Sequence, residues 1–206
     1  MFTPYLTPRY LNKRRWISYW HQIDEVSALK NIHSILEVGP GNKIVADALG
    51  KMGYFIKTLD NDPRVQPDFI GQIEKAKTLP DQRFDLVLAS EVLEHIPYAE
   101  FPSALRNLRR LTKKYLLLTL PYTSRGTFKP YFHAHLWPFH KPISWSKIFN
   151  LFPRPHIFDN QHYWEIGKRG YPLKKILQAI ANSDFTIIKH YPIPENLYHY
   201  LILCKR

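Results

Sequence analysis

The chain has 206 residues, of which 45% are hydrophobic and 22% charged, with one cysteine and a formal net charge of +12. Those proportions are ordinary for a globular domain with a real core. One cysteine excludes an internal disulfide framework and a cysteine-based zinc site, and no apolar run approaches the ~20 residues of a membrane helix.

Residues 1–30 mix basic, proline and aromatic residues without a clean period and read as a packed arm, with a helix expected over Trp16 to Leu29. Met1 to Ser18 lacks a continuous apolar segment, so a secretory signal is not expected and the cytoplasm is the expected location. Residues 34–39, SILEVG, predict a short buried strand. In 42–52, Ile44, Val45, Ala48, Leu49 and Met52 share a helical face. Strands follow at 55–60, 68–70 and 84–90. Tyr98 to Thr112 spaces Phe101, Leu105, Leu108 and Leu111 helically, and 115–120, YLLLTL, is a fifth strand. Runs this apolar are buried on both faces, as in parallel sheets covered by helices. Right-handed crossovers then give an α/β fold with a doubly wound, Rossmann-like sheet. Tyr171 to Ser183 predicts a helix, and 185–193 with 197–206 an antiparallel pair joined by a short link. The fold class is thus a seven-stranded, mostly parallel sheet with an antiparallel C-terminal hairpin strand.

Residues 121–170 interrupt this order. They hold 12 of the 30 aromatic residues, five of the ten histidines, seven Lys/Arg and two acids. The expected organisation is an arm at 1–30, a cofactor-binding core at 31–120, an inserted cap at 121–170 on the acceptor side, and a closing helix and hairpin at 171–206. The core holds 12 Lys/Arg and 11 Asp/Glu, so nearly all of the positive surplus lies in the flanks.

Gly39 and Gly41 end the first strand, and Asp60 ends the second, 19 residues after Gly41. In a doubly wound sheet, ligands bind beyond the carboxyl ends of the strands. Two glycines there allow a tight turn and close approach of a ligand, and a strand-terminal acid can accept both hydroxyls of a ribose. A nicotinamide dinucleotide normally calls for a third glycine beside its pyrophosphate. Here Asn42, Lys43 and Ile44 follow. Glu37, two residues before Gly39, would repel a pyrophosphate but suits an ammonium or sulfonium group.

The stretch ILEVGPGN resembles the first motif of class I S-adenosylmethionine-dependent methyltransferases, LDNDP their second-strand end, and FDLVLASEVLEHI their fourth strand and following turn, in a form common among small-molecule methyltransferases. The resemblance covers about residues 31–120, and 171–206 match the usual ending of that fold. It implies S-adenosyl-L-methionine as cofactor. Glu37, Gly39, Gly41, Ser90 and Glu91 would line its methionine part, Asp60 would take the ribose, and Asn61 and Gln72 would lie by the adenine. Many relatives have Asp where Gln72 stands, and Asn42 replaces their third glycine.

Such an enzyme must align an acceptor, exclude water and, where needed, remove a proton. His162 and Glu165, three apart in NQHYWEIGKRGY, share a face if that segment is helical and are the candidate catalytic pair. The alternative is a packed His162 with Glu165 paired to Lys168 or Arg169. His133, His135 and His140 offer a histidine trio, but with no carboxylate or cysteine nearby no metal site is expected. Glu94 and His95 are expected to open the helix after the fourth strand, with a proton role for His95 as the lesser reading. The aromatic, basic cap favours a small-molecule acceptor, methylated on O or N. RNA or a nucleotide is the second choice, a non-catalytic binding protein the third, and peripheral membrane contact through Trp137, Phe139, Trp145, Phe149 and Phe152 a further expectation.

Overall fold

The computed structural model describes residues 5, 7, 9–75, 77, 79–80, 83–123, 127–134 and 143–206. Helix α1 spans Lys13–Ser27, followed by β1 (Ser34–Val38), α2 (Ile44–Lys51), β2 (Phe55–Asp60), β3 (Phe69–Ile70), β4 (Phe84–Ser90), α3 (Phe101–Leu111) and β5 (Thr112–Pro121). The inserted segment contributes β6 (Thr127–Phe128), β7 (Tyr131–Ala134), β8 (Ile143–Ser146) and β9 (Phe149–Asn150). Helix α4 (Leu173–Ala181), β10 (Thr186–Pro192) and β11 (His199–Lys205) close the chain.

Seven strands form one sheet in the order β10-β11-β5-β4-β1-β2-β3. Strands β1 to β5 pair in parallel, while β11 pairs antiparallel with both β5 and β10. The order reverses between β1 and β4, so the carboxyl ends of β1, β2 and β4 face one crevice. β4 runs at the centre: Phe84, Leu86, Val87 and Leu88 are wholly buried. Burial of each such side chain contributes roughly 1.5–3 kcal/mol. On one face of the sheet α3 buries Phe101, Ala104, Leu105, Leu108 and Leu111 against Leu36, Val87 and Leu116. On the other, Val45 and Leu49 of α2 and Val26 of α1 pack with Ile35, Leu86 and Leu117.

The inserted segment has its own order. Phe128 lies opposite Phe149, Tyr131 opposite Ser146 and Phe132 opposite Trp145, so β6–β9 keep one antiparallel register. Lys147 N donates to Pro130 O at 3.1 Å between the two ribbons. One face of this hairpin is fastened to the domain. Lys129 Nζ donates to Leu197 O, Ser146 Oγ to Pro192 O and Asn150 Nδ2 to Gly167 O. Side chains alternate across a strand, so Phe128, Phe132, Ile143, Trp145 and Phe149 share the opposite face, and all five are exposed. His135, His140, Trp137 and Phe139 lie outside the described residues. Among the described residues no helix is long and apolar enough to cross a membrane.

Candidate active site

The crevice is a cavity of about 1120 Å³. Its floor is the turn after β1, its sides are the ends of β2 and β4, and its far wall comes from α1, residues 158–163 and the approach to β11. Glu37, Gly39, Gly41, Asp60, Asn61, Gln72, Ser90, Glu91 and His162 all line it. Glu165 does not; it stands behind His162.

Gly39 and Gly41 have φ of +67° and +51°, the left-handed region that glycine adopts without strain. For Gly39 packing supplies a reason of its own. A Cβ there would fall 2.4 Å from Val92 Cγ2, so the turn after β1 packs directly on the turn after β4. Asn42, in place of a third glycine, accepts from Ile44 N through Oδ1 and donates from Nδ2 to the Tyr19 hydroxyl, so it secures both the start of α2 and the α1 arm.

Burial pushes the Glu37 carboxyl up to about 8, although Ala46 N–H donates to it, and its Oε2 has no hydrogen-bond partner. Asp60 is raised by partial burial while its Oδ1 accepts from Asp62 N at 2.9 Å. The Ser90 hydroxyl is buried and unpartnered, and Glu91 follows in a left-handed conformation, φ +55°.

The other end of the cavity is acidic and imidazole-rich. Residues 162–165 are not helical, because the chain there is pinned instead by Trp164. That indole is fully buried against Tyr98 and Phe101 and donates to Ile96 O. His162 and Glu165 still meet: His162 Nδ1 lies 2.8 Å from Glu165 Oε1. Glu165 also accepts from Thr123 Oγ1 and from the Tyr198 hydroxyl, and Lys168 Nζ lies 3.6 Å from it. These donors outweigh burial and hold its carboxyl down to about 2, so it is ionised. Burial would lower the His162 value, but the Glu165 carboxylate reverses this and raises it. An ionised carboxylate only accepts, so Nδ1 carries a proton, and Nε2 lies 4.0 Å from Glu94 Oε1.

Sequence reasoning missed much of the wall. Tyr10, Arg15, Ser18, Tyr19 and Gln22 come from the arm, and Tyr198 and His199 from the start of β11. His199, pushed to about 3 by burial, is neutral; its Nδ1 lies 2.7 Å from Ser18 Oγ and its Nε2 3.3 Å from Glu91 Oε2. Glu94 and His95 sit in a separate 3-10 turn, Leu93–His95, ahead of α3 rather than opening it. Glu94 is wholly buried, and burial raises its carboxyl well above the usual range. The signal available beforehand was the acid-x-x-acid-His spacing at 91–95, which places three polar groups after a buried strand.

Residues 9–187 match the family model described as a methyltransferase domain. Solved structures share the fold at low identity. One is an S-adenosylmethionine-dependent methyltransferase from Clostridium acetobutylicum (9% identity, TM-score 0.60, 98% of this chain and 94% of that one). Another is the magnesium protoporphyrin IX methyltransferase of Synechocystis with bound SAH (14%, 0.60, 94% and 84%). A third is the glycopeptide N-methyltransferase MtfA with sinefungin (12%, 0.61, 99% and 98%). No curated protein sequence matches. A family match over most of the chain, on a sheet whose glycine turn, acid-tipped second strand and antiparallel end meet at one cavity, establishes that this chain belongs to the methyltransferase domain family and has its class I, Rossmann-like fold.

Proposed function

We propose that the chain transfers the methyl group of S-adenosyl-L-methionine to an oxygen or nitrogen atom of a small-molecule acceptor. The observation that supports this most is the division of the cavity. The glycine-turn end offers a buried carboxyl at Glu37 with one oxygen unpartnered and a strand-terminal acid at Asp60, while the opposite end offers an imidazole fixed by an ionised acid. At about 1120 Å³ the space exceeds a typical single-ligand pocket and accommodates a cofactor and an acceptor together.

The residues fit the cofactor. Glu37 would meet its ammonium group, the Gly39–Gly41 turn its methionine chain, Asp60 its ribose hydroxyls, and Asn61 and Gln72 its base. When bound, S-adenosylmethionine supplies an electrophilic methyl group. The chain's own work is alignment and exclusion of water, which can lower a barrier by roughly 7–11 kcal/mol. Tyr5, Tyr10 and Tyr19 cover the cofactor end, and Phe158 and Tyr163 line the acceptor side. His162 Nε2 is the group that meets the acceptor, and Glu165 holds its ring.

Incubating the protein with labelled cofactor and a cell extract, then fractionating metabolites, lipid, RNA and protein, tests the reading; label confined to RNA or protein overturns the small-molecule acceptor. The second reading, an RNA or nucleotide acceptor, is favoured by the +12 charge. It requires RNA affinity that falls with salt at a log–log slope of roughly −0.7 per phosphate neutralised on a single strand. Titrating single-stranded RNA at two salt concentrations separates the two, and the small-acceptor reading expects no such slope.

A further inference from the structure

At the acceptor end, three donor atoms converge. Glu94 Oε1 lies 3.9 Å from His95 Nε2 and 4.0 Å from His162 Nε2, and all three atoms lie within 4.8 Å of one another. Glu94 is wholly buried, and neither carboxylate oxygen has a hydrogen-bond partner outside its own peptide. A buried polar atom left unmatched costs roughly 1–3 kcal/mol. Two unmatched oxygens, one of them beside two imidazoles, therefore need an explanation.

The outer contacts supply one. His95 Nδ1 lies 3.0 Å from Gln161 O, and a carbonyl only accepts, so the proton is on Nδ1 and the lone pair on Nε2. His162 is fixed in the same tautomer by Glu165. Where its ring is neutral, each thus turns an Nε2 lone pair toward Glu94, with Nδ1 held from behind by an acceptor. That is the arrangement found behind metal-ligating histidines. Glu91 adds a buried Oε1 without a partner and is felt electrostatically by Glu94 and His162. Arg15 contributes positive charge at longer range.

We propose that Glu94, His95 and His162 hold a first-row divalent metal ion of the manganese or zinc kind, with Glu91 beside it. Metal–ligand bonds of about 2.0–2.2 Å put donors roughly 3–3.5 Å apart, so the site closes by side-chain shifts of under about 1 Å. Two imidazoles and a carboxylate select these ions over Mg²⁺ and Ca²⁺, which prefer all-oxygen shells. The alternative cluster of Asp159, His162 and Glu165 is a poorer one: Asp159 is exposed and accepts from the Gln161 and His162 backbone, and the Glu165 oxygen is taken by Nδ1. These residues lie up to 68 positions apart in the chain, so no local spacing groups them.

The site deepens the proposed function and rests on it. Three protein ligands leave coordination positions open toward the cavity. An acceptor hydroxyl bound there is acidified, releases its proton to solvent and is presented as an oxyanion. In the loaded protein His162 Nε2 is a ligand, the ion takes over the proton-removing role, and the acceptor atom is oxygen.

The test begins with chelator-stripped protein titrated with MnCl₂, following loss of the free Mn²⁺ paramagnetic signal, and with ZnCl₂ by calorimetry. One ion per chain is expected. Glu94→Gln and His95→Ala should weaken uptake at least tenfold, and Glu165→Gln, a positioning change, should weaken it tenfold to a hundredfold. Thermal melts confirm that each variant is folded, and Glu94→Asp should retain more affinity than Glu94→Gln. Failure to take up either ion stoichiometrically, or uptake unchanged in Glu94→Gln, overturns the site. Calorimetry of S-adenosylhomocysteine on the stripped protein separates the two ideas: product binding without metal uptake removes only the metal site, whereas loss of product binding removes the methyl-transfer reading itself.

Discussion

Asn42 Nδ2 donates to the Tyr19 hydroxyl at 2.9 Å and so ties the first helix to the glycine turn of the central sheet. The same side chain reaches the Tyr5 carbonyl, and the Tyr5 ring lies where a Cβ on Gly41 would touch it, at 3.7 Å. The arm is therefore part of the glycine-turn end of the cavity. Tyr19→Phe and Asn42→Ala should each weaken S-adenosylhomocysteine binding about fivefold, near 1 kcal/mol, and the double variant should lose less than the sum. Calorimetry checks this; additive losses would mean that the two residues act separately.

Asp60→Ala should weaken the same ligand by roughly 1–3 kcal/mol, through lost hydrogen bonds from the ribose to a charged acceptor. NAD should not bind the parent protein, because Asn42 stands where a dinucleotide site calls for a third glycine beside its pyrophosphate. A measurable NAD isotherm would contradict the assignment.

Glu37 links binding to pH. Its carboxyl is raised to about 8 in the ligand-free protein, so near neutrality it is mostly protonated. An ammonium ligand requires the carboxylate. Affinity should therefore rise between about pH 6 and 8, and binding at pH 7 should release close to one proton. Titrations in two buffers of different ionisation enthalpy count that proton, and Glu37→Gln should abolish its release.

His162→Ala should lower turnover by about a hundredfold or more, the scale of a lost proton-handling group, and change product affinity by less than about threefold. Glu165→Ala should act in the same direction through His162. Steady-state rates beside calorimetry read the split. Loss of product binding alone would move both residues to the cofactor end.

Asp85 staples the amino end of β1 to β4. Its Oδ2 accepts from His33 N, Ser34 N and Ser34 Oγ, and Lys114 Nζ lies 3.1 Å from Oδ1. These donors outweigh burial and hold the carboxyl down to about 2. Its unfolded value is near 3.9, so its contribution is complete above that pH and is lost as pH falls toward 2. Asp85→Asn should cost about 1–2 kcal/mol at pH 7 and make the acid limb of the stability curve shallower, as followed by denaturant unfolding at successive pH values.

What the sequence determined by itself is what depends on neighbours along the chain. Phe84 to Ser90 is apolar but for Asp85 near its start and Ser90 at its end, and such a run is stable only between two helical layers; β4 has those bounds. The glycine pair, Asp60 nineteen residues on, and the helical spacing of Leu105, Leu108 and Leu111 were legible for the same reason. The sequence left the local structure at 162–165 open; burial of Trp164 fixes a non-helical path there that still joins His162 to Glu165. It also gave no sign that β6 to β9 keep one register, since cross-strand pairing there joins residues up to 23 apart. Only tertiary structure brought Tyr19 to Asn42, His199 to Glu91, and His162 to Glu94. Each pair meets because the sheet order, the path of the arm and the inserted segment carry distant residues to the same crevice. Burial then removes water as an alternative partner, so the environment, and not the residue type, decides which of these acids is ionised.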